Sequence, residues 1–474
     1  MTDKTPVAPV RKAPLVRKIG YGLGDMSSSM FWKIFSAYLP FFYSTIFGLS
    51  LMDATLLMLV TRIWDAVSDP MMGIIADRTQ SKWGRYRPYL LWISLPFAIA
   101  GILLFTTPDC SYEWKRVWAY VTYIFMMTVY TAINVPYGAM LGVMTADSDE
   151  KTVFSSFRMF FAYAGSFVVL AGWEPLCRFF NRMQGMAPSL NLTTSWQYSM
   201  ITVAAVCFFL FVLTFMFTRE TVRSLPKETS VGSDLKTLFR NAPWWILLGG
   251  VLFFNFFSAV RYTAGPFFFA SVIGEGVHLK ILSFEFLFYA GIFFAVGEVA
   301  NMAGVAMAPM ITAKLGKKST FVYSLALLIV LSTLFFFIPL TPCGYWVMML
   351  LQLVISIITG IGSPLVWSMY ADIADYSEHK FNTSSTGLIF SSSSMAQKFG
   401  GAIGGSAVTA ILAAVGYSTE TDAVQTATAL VWVRALMSFI PAFVAALSLM
   451  FISFYPLTTS RMKAIQTDLQ VRRS

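Results

Sequence analysis

The 474-residue sequence predicts an all-α membrane protein of twelve transmembrane helices arranged as two sets of six. Three observations predict it. Hydrophobic side chains make up 57% of the chain and charged ones only 12%, against about 45–50% and about 25% in an ordinary soluble domain. Apolar runs near the bilayer-crossing length of about 20 residues recur along the chain. The basic residues sort themselves between alternate loops. This composition excludes a disordered chain, a coiled coil and an ordinary cytosolic enzyme.

The runs lie at 20–47, 52–76, 88–107, 117–144, 155–172, 198–218, 242–271, 286–311, 319–340, 345–372, 386–415 and 428–455. A short segment, 1–19, precedes the first and carries Arg11, Lys12, Arg17 and Lys18. That first run is longer than a signal-peptide core and has no A-x-A-like site, so it reads as a retained helix. Pro40, Pro136, Pro266, Pro309 and Pro364 lie inside runs, where proline removes a backbone donor and bends the helix. The first six runs occupy 20–218 and the last six 242–455. The polar connection 219–241 divides them, and 456–474 is a short tail. Basic, glycine-containing turns recur at matching places, DRTQSKWGRYRP (77–88) and AKLGKKST (313–320). Parallel six-helix repeats of this kind build many secondary transporters, with the site between them near mid-membrane.

Of the 34 lysines and arginines, 23 fall in the termini and loops of one side. Five fall on the other (Lys115, Arg116, Arg178, Arg182, Lys280), and six lie within runs. The positive-inside rule then places both termini in the cytoplasm, with the chain a multi-pass protein of the cytoplasmic (inner) membrane. The net charge of +10 lines the cytoplasmic membrane surface and calls for no nucleic-acid partner. The four cysteines (Cys110, Cys177, Cys207, Cys343) have no ligand spacing and read as small buried hydrophobes. With two histidines, His278 and His379, histidine-based metal catalysis is excluded. No Walker, GxSxG or HExxH motif occurs, so neither an ATP-driven pump nor an enzyme is expected.

A charge near the bilayer centre costs about 2.5–3.5 kcal/mol on insertion scales, so each needs a reason. The candidates are Asp25, Lys33, Arg62, Asp65, Asp69, Arg158, Arg261, Glu298, Asp372, Lys398 and Arg434. For Lys33, Arg261, Glu298 and Arg434 a structural ion pair or a snorkelling side chain explains the charge as well as function does. Asp65 and Asp69, in RIWDAVSDP (62–70), lie four apart on one helix face. Two ionised carboxylates so placed repel, and a sodium ion or a proton relieves the repulsion. Ser68 and Thr131 add oxygens if their helices meet, and Arg62 is the competing neutraliser. Arg158 and Lys398, one in each half, would pair with acids such as Asp65 or with substrate hydroxyls. In VYTAINVPYGAM (129–140), Tyr130 offers a flat ring and Asn134 an amide, the groups a sugar site uses. Trp367, Asp372 and Asp375 lie toward the cytoplasmic end of the tenth run. Gly400, Gly401, Gly404 and Gly405 have the spacing that lets helices approach closely.

The pieces YGLGD (21–25), RIWDAVSDPMMG (62–73), KWGRYRP (82–88), NVPYGAM (134–140), FRMFFA (157–162) and ADIADYSE (371–378) resemble the glycoside–pentoside–hexuronide:cation symporters. This is the melibiose permease family of the major facilitator superfamily, and the resemblance runs over essentially the whole chain. It implies the major facilitator fold of two six-helix bundles, and alternating-access symport of a sugar or glycoside with sodium or a proton. It implies a coupling-cation site at Asp65, Asp69, Thr131 and Ser68. The candidate sugar site holds Asp25, Tyr130, Asn134, Arg158, Trp367 and Lys398, of which the resemblance implies Tyr130, Arg158 and Lys398. Arg62, Arg85, Arg87, Asp372 and Asp375 are the implied cytoplasmic gating residues. The chain departs from melibiose permease at Ser29, Ser68, Asn134 and Gly138, and its NxPYG form is similar to the pentoside and hexuronide branches. No cofactor and no structural metal is expected. The expected partners are the sugar, the cation and the bilayer, with the chain working as a monomer. A lysolipid carrier is the alternative.

Overall fold

The computed structural model describes residues 13–145, 148–185, 192–221, 238–274, 276–281, 284–381, 386–420 and 424–473. Arg11, Lys12 and most of the 219–241 connection lie outside these residues. The chain folds as helices joined by short turns. α1 (Leu15–Ala37) runs on through Leu39–Phe41 into a π-helical turn, Phe42–Ile46. α2 is Leu51–Arg78, and α3 is made of Arg87–Trp92 and Ser94–Leu104. α4 is Tyr112–Met144, α5 Ser148–Met183 and α6 Thr193–Phe217. α7 (Ala242–Phe268) continues into a second π-helical turn, Phe269–Ile273. Then come α8 (Ala290–Leu315), α9 (Lys317–Phe335), α10 (Pro342–Phe381) and α11 (Thr386–Ala414). α12 is made of Ala427–Met437 and Phe439–Ser453, and α13 is Thr459–Arg473.

Among the described residues, eight helices are long and apolar enough to cross a membrane. α3 breaks at Ile93, while α1, α2 and α11 carry the charges and serines of the candidate site. Two sequence readings need correction. The apolar stretch before α8 is no helix: an antiparallel hairpin, β1 (Val277–Ile281) with β2 (Phe284–Phe288), fills it, so α8 starts at Ala290 rather than 286. Phe-rich FEFLF suits a strand as well as a buried helix, and length alone does not separate them. Within the tail, α13 packs Met462 and Ile465 into the core against α10. Of the cysteines, Cys177 and Cys207 are buried, but Cys110 and Cys343 are exposed and all four are free.

The two halves of the chain share details beyond helix order. Pro40 and Pro266 each stand just ahead of a π-helical turn, where a missing N–H disturbs the ladder. Gly84 (φ 116°) and Gly316 (φ 78°) each turn the chain into the third helix of their half, a conformation only glycine takes freely. A side chain on Gly84 would strike Glu220, just past α6, and one on Gly316 would strike Thr459, just past α12. Arg87 Nε donates to Phe215 O near the end of α6 and Lys318 Nζ to Ser453 O at the end of α12, both at 2.8 Å. These matched contacts are the structural form of the repeat seen in the two basic turns.

The named bonds between the halves cluster toward one end, where α1 and α7 finish and α2 and α8 begin. The Thr55 and Thr409 hydroxyls meet at 2.6 Å, and Thr263 donates to Ser36 O at 3.1 Å. Gly291 N, in the first turn of α8, donates to the Glu174 carboxylate of α5 at 3.1 Å, which also accepts from Tyr38. That carboxylate sits at a helix N-terminus, which favours negative charge. Phe41 and Phe267 rings meet edge-on across the same seam.

Small residues set the helix spacings. A β-carbon on Gly304 would lie 2.0 Å from Ile357 O, and one on Gly360 2.3 Å from Asn301 O, so α8 and α10 touch backbone to backbone. Gly400 and Gly404 bring α11 against Leu252 and Phe256 of α7, whereas Gly401 faces open space. Gly304→Ala should therefore lower the Tm of the purified protein by several degrees, the overpacking penalty being about 1–3 kcal/mol. Gly401→Ala should leave it unchanged. Equal effects of the two changes would refute the close approach.

Candidate functional site

The polar centre starts on α2. Ser50 caps this helix by accepting from Asp53 N at 3.0 Å, and Trp64 Nε1 donates to Thr128 of α4 at 2.7 Å. That register brings Thr131 to Asp69: the hydroxyl donates to Oδ1 at 2.7 Å. Lys398 of α11 reaches across from the other half and forms an ion pair with the second oxygen of Asp69. Asp65, one turn earlier, is 2% exposed. Ser68 is also buried, and its hydroxyl turns back to Asp65 O at 3.4 Å. The arrangement therefore joins Asp69, Thr131 and Lys398 directly, with Asp65 on the adjoining turn. The Arg62 side chain lies outside the described residues.

Asp25 of α1 pairs with Arg158 of α5, Nε to Oδ2 at 3.1 Å, rather than leaving Arg158 to pair with Asp65. Tyr137 lies under the guanidinium, 5.3 Å from its centre, and stacks on Tyr21 at 4.8 Å. Tyr137 also donates to Tyr21 O at 2.5 Å. The pair thus lies beside a stack of two aromatic rings. The half-buried Tyr130 leans on Trp32 at 5.7 Å, and Asn134 donates to Tyr130 O at 3.0 Å. Trp367, on α10, is 38% exposed.

A cavity of about 160 Å³ lies mainly against the second half of the chain. Glu298 of α8, fully buried, is at its wall. Lys33 of α1 bonds Glu298 Oε1 at 2.5 Å and lies 4.1 Å over the Tyr262 ring, whose hydroxyl donates to the same oxygen. Asn255, Asn301, Gln352 and Tyr163 belong to its polar lining, with Arg261 and the hydroxyls of Ser258, Ser356, Thr359 and Ser363. Arg261 is buried with neutral partners, Met437 O and Gln352 Oε1, both at 2.7 Å. Arg434 donates to Phe336 O and Ile338 O, a structural tie between α12 and the end of α9. The charges of this cavity were visible in the sequence. Its amides were not, because each is a single amide on a different helix.

The expected gating residues sit at the opposite end from the closed seam. Arg87 ties α3 to α6, as above, and also packs over the Phe215 ring at 4.2 Å. The backbone N–H groups of Arg85, Tyr86 and Arg87 all donate to the Glu220 carboxylate, at 2.9, 2.7 and 2.8 Å. Glu220 was not singled out by sequence; its place after an apolar run gives no signal. Lys317 grips both oxygens of Asp372 at 2.7 and 2.8 Å, and Asp375 lies half-buried one turn on.

The model of one family, described as MFS/sugar transport protein, matches residues 20–459. This chain belongs to that family. It is therefore a major facilitator transporter and not an enzyme, and the function it carries is sugar symport. YagG of Escherichia coli (strain K12), provisionally named a glycoside/cation symporter, is 33% identical over 96% of this chain and 95% of its own. The isoprimeverose transporter of Lactiplantibacillus pentosus is 31% identical over 85% of this chain and 81% of its own. A solved structure of a proton-dependent oligopeptide transporter superposes with a TM-score of 0.67 at 14% identity, covering 95% of this chain and 99% of that one. At that identity the likeness is one of fold.

The Asp69–Lys398 pair should show as a coupling between the two positions. In a double-mutant cycle on thermal stability, Asp69→Asn and Lys398→Met should each destabilise, because each leaves a partly buried charge unpaired. The double variant should recover about 0.5–3 kcal/mol relative to additivity. Strict additivity would mean that the two side chains do not meet.

Proposed function

We propose that the chain is a twelve-span symporter of the inner membrane, working as a monomer with both termini cytoplasmic. Residues 20–218 and 242–455 are its two bundles, joined by 219–241. It couples the entry of one sodium ion or proton to that of a sugar or glycoside. The observation that carries this reading is Asp69, gripped by a lysine from the opposite half beside a second buried acid. The names of YagG and of the isoprimeverose transporter support the cargo and the cation.

The cation binds between Asp65 and Asp69, with Thr131 and Ser68 as further oxygens. Its charge does at Asp69 what the Lys398 ammonium does in this state, so its arrival frees Lys398 for the sugar. Asp25, Arg158, Tyr130 and Asn134 hold the sugar from the first half, and Lys398 and Trp367 meet it from the second. Paired charges, rather than bare ones, face the sugar, so an empty site carries no uncompensated charge in a low dielectric. The closed seam is the periplasmic gate, and this conformation opens inward. The 82–88 turn with Arg85 and Arg87, together with Arg62, Asp372 and Asp375, serves the cytoplasmic gate, which must re-form when the carrier faces out.

Two experiments test the reading. In membrane vesicles, an imposed sodium or proton gradient should drive accumulation of labelled sugar, and the effective gradient identifies the ion. Asp65→Asn and Asp69→Asn should each lower that accumulation at least tenfold while sugar exchange without a gradient persists. Undiminished accumulation in both variants would remove the coupling role. Second, Thr55→Cys with Thr409→Cys, in a chain with Cys110 and Cys343 changed to Ser, should form a disulfide under oxidant. Transport should stop and return on reduction. Continued transport by the cross-linked protein would rule out opening of this seam during the cycle.

A further inference from the structure

The cavity beside Glu298 is not used by the mechanism above. Glu298 is fully buried, and its two oxygens differ. Oε1 is bound by Lys33 and Tyr262, whereas Oε2 has no hydrogen-bond partner among the described residues. A buried carboxylate oxygen left without a donor is costly, so such a position implies a donor that arrives with a ligand. Lys33 already balances the charge of Glu298, and Arg261, also at the wall, spends its donors on Met437 O and Gln352 Oε1, so the lining has no negative charge to spare. The cavity therefore suits a neutral, hydroxyl-bearing ligand better than a cation. Its other walls fit the same chemistry. Asn301 Oδ1 accepts from Thr359 at 2.9 Å, which leaves its amide N–H groups to donate. Asn255 donates to Val251 O at 2.9 Å, which leaves its carbonyl oxygen to accept. Tyr262, packed on Phe294 at 4.8 Å, supplies a flat aromatic surface.

The position of the cavity relates it to the proposed sugar site. Tyr163 lies five residues beyond Arg158 on α5, and Lys33 eight beyond Asp25 on α1. At about 1.5 Å per residue these offsets are about 7 and 12 Å along the helices. The cavity thus lies further along the same helices, toward the closed seam. We propose that it is a second sugar subsite, which takes an uncharged ring beyond the one held at Asp25 and Arg158. The preferred cargo is then a two-ring glycoside rather than a free monosaccharide. This rests on the sugar-symport reading and deepens it.

The test is equilibrium binding to the purified full-length protein. The probes are xylose, glucose, their methyl glycosides, and xylosyl and glucosyl disaccharides. The wild-type protein should bind its best disaccharide at least tenfold more tightly than either monosaccharide. Glu298→Gln should reduce that preference about tenfold while monosaccharide affinity stays within twofold. Asn301→Ala, which leaves the Lys33–Glu298 bridge in place, should reduce it in the same direction. If Glu298 is only a strut, both variants will weaken monosaccharide and disaccharide in parallel, or not at all, and the subsite is refuted. Equal wild-type affinity for one and two rings also refutes it, with sugar symport intact. Absence of any sugar binding, together with no gradient-driven uptake, overturns the transport reading and the subsite with it.

Discussion

A charge inside hydrocarbon needs a counter-charge or polar partners close by, and in this chain two of the counter-charges come from the opposite half. Asp69 of α2 is paired by Lys398 of α11, and Glu298 of α8 by Lys33 of α1. In one pair the acid belongs to the first half, and in the other to the second. The halves cannot separate at these points without either stranding four charges or supplying substitutes. In the proposed mechanism a small cation substitutes for Lys398 and sugar hydroxyls donate to the acids, which links ligand occupancy to movement without a flexible lid.

The remaining structure serves that constraint. Matching turns at Gly84 and Gly316, each locked to the end of its own half, keep each set of helices rigid. Glycine contacts such as Gly304 with Ile357 and Gly400 with Leu252 fix the spacings within the second half. The flexible geometry is left to the seam, where the halves meet through hydroxyls, one carboxylate and aromatic edges. Bonds of that kind are easily exchanged for bonds to water. Rigid halves with an exchangeable seam allow a rocking motion about a fixed site.

Much of this was legible in the sequence, for physical reasons. Composition and run length reveal membrane helices because lipid admits few alternatives. Asp65 and Asp69 could be read as a pair from their spacing alone, and Thr131 as a further oxygen if its helix met theirs, a place the resemblance also implied. The partners were less legible. Arg158 takes Asp25 rather than Asp65, a choice made by how α1 packs on α5 and invisible along the chain. The amides around Glu298 come from three helices, so no local pattern unites them. The hairpin before α8 shares its apolar character with the helix it precedes. The polar helix α13 lacks the hydropathy that marked the others, and among its described residues Met462 and Ile465 give it a packed face.

The central claim is that Lys398 and the coupling cation compete for Asp69. Cation binding to the purified protein, followed as sodium binding and as proton uptake, tests it directly in Lys398→Met against the wild type. Removal of the tethered ammonium should leave the acid pair more eager for a mobile cation, and affinity should rise at least tenfold. Unchanged or weakened cation binding in that variant would contradict the account.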